Sequence, residues 1–327
     1  MRQKLSTLIN SHAIRLCATV GVCLAVTGCA AQNAQDVART DRDPVLVTAP
    51  PEVTATPTID SIDSLTLPIE AFTFTPTQLR QVNNAQTSLI NQCAARFGLT
   101  PQLPRGSSLS PSPLASQYGV VDEAIAAKYG YHEPAASTGT NKPTSGGRPS
   151  KDLALVLYGS NDPDPDLDAT KPTGLTFHGQ EIPPGGCYGE SRRKLGITAF
   201  ERLNSDNLAD QIRLKAGHQA DNDQRVTAVM GTWSACMKQK GYQYGSPADV
   251  GVDPKLKASL AGPVPSAVEV QIALTDVGCK KSSNLIGVWF AVEVAYEKVA
   301  IQQNLERLVE LRKAMDAMVT LAAKVSA

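Results

Sequence analysis

Cys93-Ala94-Ala95-Arg96-Phe97-Gly98-Leu99 and Cys236-Met237-Lys238-Gln239-Lys240-Gly241-Tyr242 share one plan: a cysteine, four residues, a glycine, then an apolar residue. Each stretch closes a segment whose apolar residues recur at helical spacing, through Leu79, Val82, Ala85, Leu89, Cys93 and Phe97 in the first, and Val226, Val229, Met230, Trp233 and Cys236 in the second. Thr75-Pro76 supplies a cap and a first-turn proline for the first helix, and Gly98 ends it, because glycine takes the left-handed conformation without a Cβ clash. Later in each half a second cysteine follows a glycine, at Gly186-Cys187 and Gly278-Cys279, with helix-compatible sequence beginning there. The same order twice implies two related units and pairs Cys93 with Cys187 and Cys236 with Cys279, among the three pairings four cysteines allow. The fold class is therefore mainly α, with two disulfide-stapled units, long loops, room for short β elements and a long C-terminal helix.

That last helix is read from Pro265-Ser266 onward. Leu285, Val288, Val292, Ala295, Val299, Leu305, Leu308, Leu311, Met315, Met318, Leu321 and Val325 mark its apolar stripe, and no proline interrupts it. Beyond Cys279 it would exceed roughly 60 Å at about 1.5 Å per residue. A helix of that length either folds back within the protein or offers its distal half to a protein partner or a second copy; heptads sustained only over the final turns favour folding back.

The rest of the first unit, 65–204, starts at Leu65-Thr66-Leu67-Pro68 with Phe72 and Phe74. A proline-rich stretch follows, then a short helix around Val121 to Ala127 and a low-complexity run from Ser137 to Ser150. Leu153 to Tyr158 fits a short helix or a buried strand equally well. The turn-rich run from Phe177 to Gly186 leads into a helix from Cys187 through Leu195, and Asn204-Ser205-Asp206 caps the next. The second unit spans 205–327.

At the other end, Arg2, Lys4 and Arg15 precede a short apolar run, Ala18 to Val26, too short to span a bilayer. Leu24-Ala25-Val26-Thr27-Gly28-Cys29 is similar to a bacterial lipobox, in which the cysteine takes a diacylglyceryl group and becomes the amino terminus. Residues 1–28 are thus expected to be a lipoprotein signal peptide, Cys29 the lipidation site, and the Thr-, Pro- and Ala-rich residues 29–64 a flexible tether. Two acyl chains anchor stably where one does so only marginally. The expected place is the extracytoplasmic face of the cell membrane, an oxidising space in which Cys93, Cys187, Cys236 and Cys279 form disulfides.

Three of the 31 Lys and Arg lie in the leader, which leaves 28 against 31 Asp and Glu. A slightly acidic chain disfavours nucleic-acid binding, and 5% aromatic residues is poor for a carbohydrate cleft. No zinc-like cysteine spacing, nucleophile elbow or phosphate loop is present, so no cofactor is expected. Asp162, Asp164, Asp166 and Asp168 hint at a hard cation, but Leu167 and Thr173 stand where a calcium loop has glycine and glutamate, which favours an exposed acidic loop. Ser191-Arg192-Arg193-Lys194 matches a β-lactamase motif only in letters and reads as a solvated helix face. Trp233, with Tyr242 and Tyr244, reads as core more than ligand groove. His132, His178 and His218 lack metal spacing.

From Leu65 to the C-terminal helix the chain resembles a group of uncharacterised actinobacterial lipoproteins. The likeness rests on the lipobox, Leu67-Pro68 with Phe72, Asn91-Gln92-Cys93 with Phe97-Gly98, Pro184 to Glu190, and Trp233-Ser234-Ala235-Cys236-Met237 with Gly241-Tyr242. It implies an envelope location and cysteine pairing, and brings no activity. The function expected is a non-catalytic, lipid-anchored binding or scaffolding protein; the alternative is an envelope hydrolase using scattered carboxylates such as Glu181 and Glu190.

Overall fold

Both cysteine-glycine stretches end their helices in the same way. Leu99 N–H donates to the Ala94 carbonyl at 3.1 Å and Gly98 N–H to Ala95 at 3.0 Å; Tyr242 and Gly241 do the same to Met237 and Lys238, each at 3.0 Å. Gly98 and Gly241 lie at φ +72° and +95°, so each glycine is the left-handed residue of a Schellman cap. At the start of the first helix, Thr75 Oγ1 accepts from Gln78 N–H while the Gln78 side chain accepts from Thr75 N–H, a closed capping box.

The computed structural model describes residues 47–101, 103, 113–132, 149–160, 172 and 174–326. Residues 1–46, with Cys29, and the aspartates Asp162, Asp164, Asp166 and Asp168 lie outside the described residues.

The elements in order are α1 Pro76–Arg96, α2 Pro113–Tyr118, α3 Glu123–Tyr129, α4 Lys151–Tyr158, β1 Thr176–Phe177, β2 Gln180–Glu181, α5 Gly186–Lys194, α6 Ile197–Leu203, α7 Leu208–Asp221, α8 Gln224–Gln239, α9 Ala248–Gly251, α10 Lys257–Leu260, α11 Ala267–Ser283, α12 Leu285–Gln303 and α13 Leu305–Ser326. A 3₁₀ turn, Pro68–Phe72, precedes α1. The ambiguous run from Leu153 is helical and ends at Gly159 in the left-handed region. β1 and β2 form a two-residue hairpin turning at His178 and Gly179, both at positive φ.

Cys93 is joined to Cys187 and Cys236 to Cys279, with Cα separations of 5.5 and 5.7 Å. The first bridge ties the end of α1 to the start of α5, as the spacing predicts. The second ties α8 to α11 close to that helix's end, so Gly278-Cys279 does not open a helix. Ser266 does, its hydroxyl accepting from Glu269 N–H.

The single long C-terminal helix expected from the sequence is three helices. Asn284 breaks it in the left-handed conformation at φ +52°, and the buried Asn304 breaks it again, with its side-chain amide donating to the Ala300 carbonyl. The segments fold back. α12 packs on α7 and α8, α13 on α1, and α11 on α3 and α8. Residues of both stapled stretches fill the largest core together, among them Leu67, Ile69, Leu114 and Tyr118 with Trp233, Met237, Leu285 and Val292.

Residues 47–64, expected to be tether, are bound to this core as a strap. Val47 and Ile59 are buried in it. Gln219 donates to the Val47 carbonyl at 2.6 Å and Arg225 to that of Pro51 at 2.8 Å. The strap crosses α12 where the Pro57 carbonyl approaches Gly287 so closely that a Cβ there would lie 1.8 Å from it. Prolines make such a strand cheap to order, since their φ is fixed before folding. No helix among the described residues is long and apolar enough to cross a membrane.

Candidate functional site

Glu181 and Glu190, the carboxylates singled out from sequence, line one open groove with Arg96, Phe97, Pro183 and Pro184. Glu181 is exposed on β2. Glu190 is tied on one oxygen to Arg96 and on the other to Lys194 at 2.6 Å. Partial burial works against its charge, but those two cations outweigh it and hold the carboxyl below its ordinary range. Ser191 is buried rather than solvated, its hydroxyl donating to the Tyr188 carbonyl, while Lys194 is committed to Glu190. Trp233 is wholly buried in the core, and Tyr242 and Tyr244 stack on each other. No three His, Cys, Asp or Glu side chains among the described residues are grouped to hold a metal.

The concentration of buried charge lies elsewhere, on α11 and α12. Burying an ion without partners is prohibitive, so each such group must be accounted for. Asp276 and Lys280, one turn apart on α11 and each 1% exposed, pair at 2.9 Å. Lys280 donates further to the carbonyls of Tyr118 and Val120, and Asp276 accepts from Trp233 Nε1 and Tyr131 Oη. All three ammonium donors and both carboxylate oxygens are used. The network ties α2, α3, α8 and α11 together and leaves nothing free for a ligand.

Glu269, at the start of α11, is equally committed. It accepts from Tyr131 N–H, from His132 Nδ1 and from the Ser259 hydroxyl. Serine, histidine and glutamate here carry the letters of an acyl-transfer triad but not its wiring. The hydroxyl bonds to the carboxylate, and His132 Nε2 faces the Gly262 carbonyl instead of the serine. It is a clasp closing the loop between α10 and α11 onto the end of α3.

Glu293 and Glu297 on α12 are different. Both are fully buried and face α7, where Gly217 leaves room for Glu293. Glu293 Oε2 accepts from Tyr118 Oη at 2.6 Å and Gln117 Nε2 at 2.7 Å; Glu297 Oε2 accepts from Ile69 N–H at 3.0 Å. The other oxygen of each has no partner, and no cation among the described residues lies within ion-pair distance of either. One turn before Glu293, the Trp289 indole N–H faces Asp221 without closing a hydrogen bond of good geometry. Burial is the main reason both glutamates bind protons more tightly than usual, and Glu297, with Glu293 and Glu70 adding repulsion, is pushed up to about 8.

The apolar stripe legible in the sequence, Leu285, Val288, Val292, Ala295 and Val299, coincides only in part with the buried face: Leu285 and Val292 are buried, the other three are half-buried, and the buried face runs instead through Trp289, Glu293, Tyr296 and Glu297. The available signal was two glutamates one turn apart inside a run from Leu285 to Ala300 that is otherwise almost uniformly apolar.

No protein family, curated protein or solved structure matches the chain.

Proposed function

We propose that the protein is a lipid-anchored envelope protein on the extracytoplasmic face of the cell membrane, held there through Cys29, and that it works by binding or scaffolding rather than by turnover. The observation that carries the location is the pair of disulfides, which is consistent with an oxidising, extracytoplasmic compartment. The lipobox-like Leu24 to Cys29 supports the anchor. The 18 residues from Cys29 to Val47 reach at most about 65 Å when fully extended, enough for the folded part to work clear of the headgroups.

Binding is favoured over catalysis by how the ionisable groups are spent. Asp276, Lys280 and Glu269 are internal ties, and Glu190 is committed to two cations. The surface also offers apolar contacts. Leu305 and Val309, one turn apart on α13, are exposed, and a groove of about 370 Å³ runs between residues 51–57 and α12. These are the candidate contacts for a protein partner or a second copy.

The test is expression in a bacterial host that matures lipoproteins, followed by mass spectrometry of the N-terminal peptide and cell fractionation. A diacylglyceryl-modified Cys29, with the Cys29→Ala protein leaving the membrane fraction, is the expected result. An unmodified Cys29 in a soluble protein with reduced thiols overturns the proposal.

A further inference from the structure

Trp289, Glu293 and Glu297 follow one another at single-turn spacing along the buried face of α12, and among the described residues each of the three carries a buried side-chain atom without a hydrogen-bond partner. We propose that Glu293 and Glu297 act as one proton-holding pair that clamps residues 68–72 and α2 onto α12 while it carries a proton, and loosens them when the proton is lost.

The geometry supplies both parts of the device. The clamp is direct, since Glu297 accepts the Ile69 backbone N–H of the 3₁₀ turn, and Glu293 accepts from Gln117 and Tyr118 of α2. Neither contact is local: each joins α12 to a segment more than a hundred residues earlier in the chain. The proton requirement follows from burial, which outweighs the accepted hydrogen bonds from Tyr118, Gln117 and Ile69 that by themselves favour the ionised carboxylates. Two carboxylates one turn apart, both without solvent and without a cation at ion-pair distance among the described residues, cannot both stay ionised. Desolvation and mutual repulsion act in the same direction.

The surrounding charges do not cancel this. α7 contributes Arg213, which lies beyond ion-pair distance of both glutamates and is 3.9 Å from Asp210, and it also contributes Asp221, a further anion. The 3₁₀ turn contributes Glu70, again an anion. α2 contributes the Tyr118 phenol, which burial and Glu293 keep protonated and therefore donating. On α11, Lys280 is spent on Asp276 and on the Tyr118 carbonyl. At the start of α8, Arg225 is spent on Asp223, which in turn takes Tyr296 of α12.

The test is hydrogen exchange of the folded protein between pH 5 and 9, read as protection factors for residues 68–72 and 113–118, alongside the infrared signal of protonated carboxylic acid. The wild type is expected to show a protonated acid near neutral pH. Protection of residues 68–72 is expected to fall by up to about tenfold per pH unit between pH 5 and 8 and then to level off. Glu297→Gln, whose amide oxygen can accept the same Ile69 N–H at every pH, is expected to abolish that dependence. Should this variant fail to fold, Glu293→Gln and the infrared signal of the wild type decide. A wild type without a protonated acid at pH 6, or a Glu297→Gln protein with unchanged pH dependence, overturns the proposal. So does a response that follows sodium or potassium concentration at fixed pH, which would make the occupant a cation.

Discussion

Trp233 donates its indole N–H to Asp276 Oδ1 at 2.9 Å, and three residues further along both helices Cys236 is bonded to Cys279. The contact between α8 and α11 is therefore fixed twice at adjacent turns, once by a polar bond in the core and once covalently. Trp233→Phe keeps most of the ring and leaves Asp276 short of one donor, which should cost about 1–3 kcal/mol. Lys280→Met leaves the same carboxylate without its cation and should cost about 3–5 kcal/mol. Urea titrations of both variants check the order; a Lys280→Met protein as stable as the wild type would show that the ion pair is not holding Asp276 in place.

The two bridges should part company under reduction. Cys93 and Cys187 are both buried, whereas Cys236 is half-buried, so a small thiol reaches the second bridge first. Peptide mapping after brief treatment with reductant is expected to show Cys236 and Cys279 labelled before Cys93 and Cys187. The loops closed are 43 and 94 residues, worth about 4 and 4.7 kcal/mol of unfolded-state entropy, so alanine at either pair is expected to lower the urea midpoint substantially.

What the sequence made legible was whatever is decided locally. The glycine stops at Gly98 and Gly241, the threonine cap at Thr75, and the start at Ser266 each depend on a few adjacent residues whose chemistry has one good outcome. The pairing of the cysteines was legible because the motif order repeats. The breaks at Asn284 and Asn304 were not, because asparagine only permits a left-handed or frayed turn and it is the packing of α12 on α7 and α8 that makes the chain turn there. The strap was misread for a related reason. Its composition suits a free tether, and only the hollow above Gly287 and the side chains of Gln219 and Arg225 make it bind. Glu293 and Glu297 were hidden because a charge in a helix is ordinarily assigned to its solvent face.

Gly287→Ala tests the strap. The new methyl would sit 1.8 Å from the Pro57 carbonyl oxygen and 2.4 Å from Asn284 Oδ1; the Asn284 side chain can turn aside, but the Pro57 backbone cannot, so the strap must lift. Alanine favours the helix itself by about 1 kcal/mol over glycine, so α12 should not be the element that suffers. Limited proteolysis is expected to cut between 47 and 60 in the variant at protease levels that leave the wild type intact. Unchanged cleavage would mean that the strap is held by Gln219 and Arg225 alone.

The clasp at His132 gives the protein a pH dependence separable from that of α12. Burial works against the charge of His132, but the Glu269 carboxylate and the carbonyls of Gly262 and Ser259 outweigh it and lift its pKa above the ordinary 6.5. A histidine raised in the folded state contributes its stability in full below pH 6.5 and loses it as pH rises through the folded value. Glu269 has the opposite sign. Burial raises its pKa, but Ser259, Tyr131 and His132 together bring it below the ordinary 4.5, so its contribution is present above that pH and is lost as pH falls through the folded value. The pair is thus at full strength between about pH 4.5 and 6.5. His132→Gln keeps a hydrogen-bonding group without the charge and should cost about 1.5–3 kcal/mol within that window and progressively less above it. Denaturation of both proteins at pH 5.5 and 8.5 reads this as a difference that shrinks with pH, while the dependence arising from Glu297 persists in the variant. A gap that is equal at the two pH values would mean that His132 is neutral throughout and that Glu269 is held by Ser259 and the Tyr131 amide.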